Sequence, residues 1–271
     1  MISEAGNTSD ATAGQAFLRM EHVNVARGDT VVLRDLSLRV ASGEHVAILG
    51  PNGCGKSTLI KTLTCECYPI AQPGMLVQLY GRSRWDISQL RQHLGVVSAE
   101  LPGERTPVTR GKDAVVAGFF SASTLWPNLH VTDEMRERAT EAMNLLEAGY
   151  LANKLVGEMS AGEQRRIMIA RALVHRPQTL LLDEPSNALD LAAQRELRDA
   201  LRRVARQGTG ILMVTHHLAD ILPEIDRVIM MREGRIFADG PKSDLLTVAK
   251  LRELFGVEVE LSQRDGYWYS W

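Results

Sequence analysis

Gly50-Pro51-Asn52-Gly53-Cys54-Gly55-Lys56-Ser57-Thr58 combines residue types that suit one task, the holding of a phosphate. Glycine, four residues and then Gly-Lys-Ser is the phosphate-loop spacing. The glycines let the backbone curl until successive N–H groups face a bound anion. The helix expected next adds partial positive charge at its N-terminus. Lys56 can reach the terminal phosphates of a nucleotide, and the Ser57 hydroxyl suits a Mg2+ ion. Cys54 sits near that helix start, where a thiolate is favoured; it is either a redox-sensitive thiol or a small residue filling the loop. A second cluster, Leu180-Leu181-Leu182-Asp183-Glu184, ends an apolar run with two carboxylates. Ligands of open α/β sheets bind beyond the carboxyl ends of the strands, so both acids should face the phosphate loop. There Asp183 would hold Mg2+ through water and Glu184 would polarise an attacking water as general base. The two clusters together make nucleoside triphosphate hydrolysis the leading chemistry.

A third segment, Met159-Ser160-Ala161-Gly162-Glu163-Gln164-Arg165-Arg166, has the makings of another anion site. Ser160 supplies a hydroxyl, Gly162 an unobstructed N–H, and the following helix a favourable field. This segment resembles the Leu-Ser-Gly-Gly-Gln signature of ABC ATPases, with Ala161 and Glu163 in place of Gly and Gln. The other marks of that family follow in order. Ser186-Asn187-Ala188-Leu189-Asp190 resembles the loop that crosses the dimer seam, and Thr215-His216 resembles the switch histidine that contacts the γ-phosphate. The resemblance covers about Phe17 to Gly240. It implies ATP and Mg2+ as cofactors, Glu184 and His216 as catalytic residues, and Ser57 and Asp183 at the metal. It also implies a homodimer that sandwiches nucleotide head-to-tail, with Ser160, Ala161, Gly162 and Glu163 of one copy closing over ATP in the phosphate loop of the other. Asp190 would then lie beside the shared site.

Two positions depart from the family pattern. Its early turn usually carries an aromatic residue that stacks on adenine; Arg27 stands there, and a guanidinium can also stack on a base. Its glutamine after Leu94-Gly95-Val96-Val97-Ser98 should fall at Ala99, followed by Glu100. Either Glu100 takes over near the metal, or coupling to a partner works differently.

Several elements must position these groups. Phe17 to Val25 and Val31 to Val40 alternate apolar and polar residues about Arg27-Gly28-Asp29, the pattern of half-buried antiparallel strands. His45 to Leu49, Thr179 to Leu182 and Gly210 to Thr215 are short apolar runs suited to strands buried on both faces. Ser57 to Thr64, Asp133 to Leu146, Met159 to Leu173 (with Ser160 as N-cap) and Leu191 to Gln207 read as helices. Arg227 to Met231 and Arg235 to Ala238 form a hairpin pattern across Glu233-Gly234. The expected fold is α/β, a P-loop NTPase with a mainly parallel sheet, an N-terminal antiparallel β-subdomain and an inserted helical lobe. Residues 1–16 read as a disordered lead-in, 17–240 as the ABC ATPase domain with the lobe at about 106–172, and 241–271 as a C-terminal extension. That extension reads as a helix, Ser243 to Leu254, then a hairpin about Asp265-Gly266. Its Tyr267, Trp268 and Tyr269 either dock on the chain's own core or meet another subunit.

The whole chain bounds the function. A net charge of −2 gives no footprint for a nucleic-acid binder, and no run approaches the roughly 18 apolar residues of a membrane span. The N-terminus lacks the order of a signal peptide, and Cys54, Cys65 and Cys67 make no disulfide framework. Cys65 and Cys67 lack the neighbours of a metal site. A cytoplasmic subunit on the inner face of the membrane, driving a separate transmembrane permease, is the expected role. The chain is similar to single-cassette ATPases of molybdate- and iron-type importers. Gly118-Phe119-Phe120 and Leu125-Trp126-Pro127 offer apolar residues either for a permease groove or for the lobe's own core. A soluble ABC ATPase acting on nucleic acid or a protein complex is the alternative, and the altered glutamine position is what favours it.

Overall fold

The apolar runs of the sequence become the middle of one six-stranded sheet in the computed structural model, which describes residues 16–98, 100–101 and 103–271. The expected lead-in lies outside the described residues apart from Ala16, as does Ala99. The sheet uses β3 (His45–Leu49), β5 (Leu94–Val97), β6 (Thr179–Asp183), β7 (Gly210–Thr215), β8 (Arg227–Arg232) and β9 (Arg235–Pro241). Their spatial order is β5-β6-β7-β3-β8-β9, parallel except for the final β8–β9 hairpin. Side chains of a strand alternate between faces, and here both faces are buried. Ala47, Leu49, Leu180, Leu182, Ile211 and Met213 enter one core, while Val46, Ile48, Leu181, Leu212 and Val214 enter the other. That is why these strands show no polar alternation.

The second of those cores lies under the antiparallel sheet of β1 (Ala16–Arg27), β2 (Thr30–Ala41) and β4 (Leu76–Leu79), in the order β2-β1-β4, and includes α1 (Lys56–Leu63). The strand β4 was not anticipated from the sequence; it is four residues long and only Leu79 is buried. The short α2 (Ile87–His93), capped by the Asp86 carboxylate, leads into β5. The first core is covered by helices α3 (Gly111–Val116), α4 (Asp133–Leu145), α5 (Ala161–Leu173) and α6 (Leu191–Arg206). Within this lobe Phe119 and Leu125 pack against the core, whereas Trp126 is 45% exposed.

The tail departs from the expected single helix. It breaks into α7 (Lys242–Leu245) and α8 (Val248–Phe255), because Thr247 turns its hydroxyl to accept from Lys250 N and starts a new helix. A separate hairpin, β10 (Leu261–Arg264) and β11 (Tyr267–Ser270), closes the chain. Asp265 and Gly266 both have positive φ, 54° and 82°, the two-residue turn that Asp-Gly favours. No helix among the described residues is long and apolar enough to cross a membrane.

Candidate functional site

The strand order decides what meets at the carboxyl edge of the sheet. With β6, β7 and β3 adjacent, the residues that follow them, Glu184, His216 and Gly50, emerge side by side. The phosphate loop curls as its glycines predict. Gly53 and Gly55 take φ of 79° and 110°, in the region that favours glycine. Gly50 has a different reason: a Cβ there would collide with the Met231 carbonyl oxygen on β8 and lie 2.8 Å from Cys54 Sγ. Cys54 is 4% exposed, and burial pushes its thiol above the ordinary value. A thiol filling the loop fits those facts better than a reactive thiolate. Asn52, Gly53 and Ser57 are exposed and Pro51 half-buried, so the mouth of the loop is open.

Lys56 is almost enclosed, with Nζ donating to the carbonyls of Gly50 at 2.8 Å and Pro51 at 3.1 Å. The same Nζ lies 3.6 Å from Glu184 Oε1. Thr58 is buried on α1. Glu184 continues the ladder of β6 by donating its N–H to Val214 O, then takes a φ of 45°. A left-handed conformation costs a side-chain-bearing residue on the order of 1 kcal/mol or more and persists at functional sites. Here it turns the carboxylate toward Lys56 and His216. His216 Nδ1 is 2.7 Å from Glu184 Oε2, yet off the line along which a ring N–H would donate, so the nitrogen is buried without an aligned partner. Burial, and then the neighbouring Glu184 charge, push the Asp183 carboxyl above its ordinary value; Lys56, Arg165 and Lys61 pull it back.

Ser160 caps α5 as expected, and the cap is reciprocal. Ser160 Oγ accepts from Glu163 N at 3.2 Å, and Glu163 Oε2 accepts from Ser160 N at 2.8 Å. Glu163 Oε2 also takes Lys154 Nζ at 2.7 Å. Its carboxylate therefore shapes the signature from behind, while Ser160 and Ala161 stand exposed in front. Gly162 is buried, and a Cβ on it would come within 2.8 Å of Ala193 Cβ on α6. Packing against α6 thus demands a glycine there, a reason the sequence did not disclose. Asp190 caps α6 by accepting from Ala193 N at 2.8 Å.

Arg27 is exposed at the tip of the β1–β2 hairpin, paired with Thr30. The hairpin leans on the phosphate loop, since Leu33 Cδ2 would lie 2.9 Å from a Cβ on Gly55. Glu100 is exposed, with its carbonyl accepting from Ser98 Oγ at 3.3 Å. Two contributors were not foreseen. Arg165 reaches out of α5 to donate to the Ser98 carbonyl at 2.7 Å, anchoring the end of β5 to the signature helix. Gly234, in the β8–β9 turn, donates to the Cys54 carbonyl at 2.9 Å, and its φ of 78° places it where a Cβ would collide with Val32 O. The Glu233-Gly234 turn was legible, but its contact with the loop is long-range.

A sequence model of the ABC transporter family matches residues 33–187, more than half of the chain. The chain is an ABC transporter family member. It is an ATP-binding, ATP-hydrolysing protein of that family, and it is similar along most of its length to named relatives. The hemin import ATP-binding protein of Hahella chejuensis is 33% identical over 87% of this chain and 91% of its own. Among solved structures, cbiO1 of Clostridium perfringens, part of the ABC transporter complex cbiONQ, superposes with a TM-score of 0.74 at 27% identity. That match covers 88% of this chain and 94% of the other. A dimeric bacterial ABC transporter cassette gives a TM-score of 0.67 at 25% identity, covering 83% of this chain and 98% of its own.

Proposed function

We propose that this ABC ATPase is the motor of an importer, working as a head-to-tail homodimer on the cytoplasmic face of a transmembrane permease. One observation carries the catalytic part: the Glu184 carboxylate lies between Lys56 Nζ, 3.6 Å away, and His216 Nδ1, 2.7 Å away, at the strand edge that faces the phosphate loop. In this reading the loop Gly50 to Thr58 cradles the phosphates of ATP with its backbone N–H groups, Pro51 having none, and Lys56 leaves its carbonyl ligands for the terminal phosphates. Glu184 accepts a proton from the attacking water, work worth typically a hundred- to ten-thousandfold in rate. His216 contacts the γ-phosphate and orients the water. Arg27 stacks on the base.

The donor set fits Mg2+. Ser57 offers an exposed hydroxyl and Asp183 a carboxylate whose burial makes a nearby cation welcome. Mg2+ is ordinarily held by one or two such groups plus substrate phosphates. It would neutralise charge on the β- and γ-phosphates. Glu100, exposed beyond β5, is the remaining candidate near it.

The homodimer is supported by Ser160 and Ala161, which stand exposed at the start of α5 while the bonds of their capping box stay within the lobe. A helix start exposed in this way carries a field that favours an anion from a second copy. Asp190 sits where a seam-crossing loop would end. A dimeric cassette among the similar structures favours the same arrangement, and the hemin import relative favours import. The near-neutral charge speaks against nucleic acid. Purification of the tagged protein from solubilised membranes tests the assembly. Recovery of a multi-span protein in stoichiometric amount is the expected result. A soluble partner alone would overturn the permease and support the soluble alternative.

A further inference from the structure

The carboxy-terminal hairpin pairs with neither of the larger sheets, since β10 and β11 bond only to each other. An isolated two-stranded hairpin is marginal in water, so its order depends on what it docks against. Tyr267 is 9% exposed, and Leu261, Trp268 and Tyr269 pack on the main core. The turn is seated against Pro223, whose ring would lie 3.0 Å from a Cβ on Gly266. Backbone bonds between Glu260 and Trp271, with Trp271 Nε1 donating to Glu260 Oε2 at 2.8 Å, close the open end.

Beneath the Tyr267 ring lie two guanidinium groups of α6, Arg198 at 5.2 Å and Arg202 at 6.0 Å from the ring centroid, within cation–π range. Both arginines continue into the same loop. Arg198 Nη1 donates to the Ala219 carbonyl at 3.3 Å, and Arg202 Nε donates to both oxygens of Glu224 at 2.9 and 3.1 Å. Ala219 belongs to the single turn Leu218–Asp220 that directly follows His216 and His217. Asp220, 3% exposed, accepts from Thr215 Oγ1 at 2.7 Å, and that oxygen accepts in turn from His217 N at 3.0 Å. An unbroken chain of contacts therefore runs from Tyr267 through α6 and the turn to the backbone flanking His216.

We infer that the carboxy-terminal hairpin is a positioning element for His216, with Tyr267 acting through Arg198 and the Leu218–Asp220 turn. It also ties that turn to α6, whose N-cap is Asp190, so the histidine and the start of α6 share one brace. The inference rests on the reading of His216 as a group of the hydrolytic site. A side chain that works in hydrolysis has to be held by the contacts behind it.

The test uses the full chain carrying Tyr267→Ala, with Tyr267→Phe as the conservative control. For Tyr267→Ala we expect kcat to fall roughly tenfold, because small misplacement of a reacting group is costly, with the Kd for ATP within about twofold of the parent. Tyr267→Phe keeps the ring over the arginines and should hydrolyse at the parent rate. Amide hydrogen exchange should quicken at residues 216–222 while residues 57–63 stay protected. In a His216→Ala background the Tyr267→Ala change should cost no further kcat. Parent kcat in folded Tyr267→Ala, a matching loss of ATP affinity, or losses that multiply in the double variant would each overturn the inference. Normal turnover in His216→Ala alone would instead refute the histidine reading, and the exchange pattern would then judge the brace by itself. Should Tyr267→Ala fail to fold, Arg198→Met leaves the hairpin's own core intact and is read by the same measurements.

Discussion

Gly162→Ala separates two reasons for a glycine in the signature. A Cβ at 162 would lie 2.8 Å from Ala193 Cβ, whereas two methyl carbons rest at about 3.5 to 4.0 Å. The start of α6 must therefore yield by roughly 0.7 Å or more, and overpacking of that kind costs about 1 to 3 kcal/mol. Alanine recovers about 0.5 to 1 kcal/mol from its better helix propensity. The net loss should be about 0 to 2.5 kcal/mol, or up to about 10 °C in Tm for a chain of this size. Turnover should fall as well, because the displaced segment follows Asp190 at the proposed seam. Adding Ala193→Gly removes the obstructing methyl and leaves the N–H of residue 162 in place. Calorimetry and steady-state ATPase assays on both variants should show the double variant regaining the Tm, less the helix cost of the new glycine, together with most of the turnover. A double variant that regains stability yet hydrolyses as slowly as Gly162→Ala would refute the packing explanation. The bare backbone would then be needed by a nucleotide.

Two further outcomes follow from the geometry. Ser160→Arg places a bulky cation at the exposed front of α5 and should block ATP-dependent dimerisation in light scattering while the monomer's ATP affinity is kept; undiminished ATPase activity would remove the shared site. Glu224 is bonded by Arg202 and Arg206; burial alone would raise its carboxyl, but those arginines hold it below its ordinary 4.5. A lowered carboxyl adds stability that is complete above the unfolded value and is lost as pH falls through the folded one. Melting curves should therefore drop below about pH 4.5 in the parent, whereas Glu224→Gln should lose about 1 to 2 kcal/mol at neutral pH and show a flatter acid limb.

The parts of the site that were legible in the sequence are those whose chemistry restricts residue type. A backbone that must wrap a phosphate needs glycines at set spacing, and a strand buried on both faces admits nothing polar until its end, so Gly50 to Thr58 and Asp183-Glu184 stood out. Ser160 was legible as a cap because capping is local. What stayed hidden was long-range. Gly234 touches Cys54 from the turn that follows the neighbouring strand β8, Arg165 reaches the Ser98 carbonyl from another element, and Gly162 answers to Ala193. No local pattern encodes such contacts. The split of the tail helix at Leu246-Thr247 is visible in principle, since Thr247 is a fair N-cap. Tyr267, Trp268 and Tyr269 of the terminal hairpin all pack on the chain's own core, a choice the sequence left open.

The central claim is that Glu184, lying between Lys56 and His216, is the base of ATP hydrolysis. Glu184→Gln keeps the size and the hydrogen-bonding reach of the side chain but removes its proton affinity. Single-turnover hydrolysis measured beside ATP binding should show a rate lower by at least about a hundredfold, close to 3 kcal/mol in the barrier, with ATP bound as tightly as before and a nucleotide-loaded dimer accumulating. Hydrolysis at the parent rate in that variant would contradict the account.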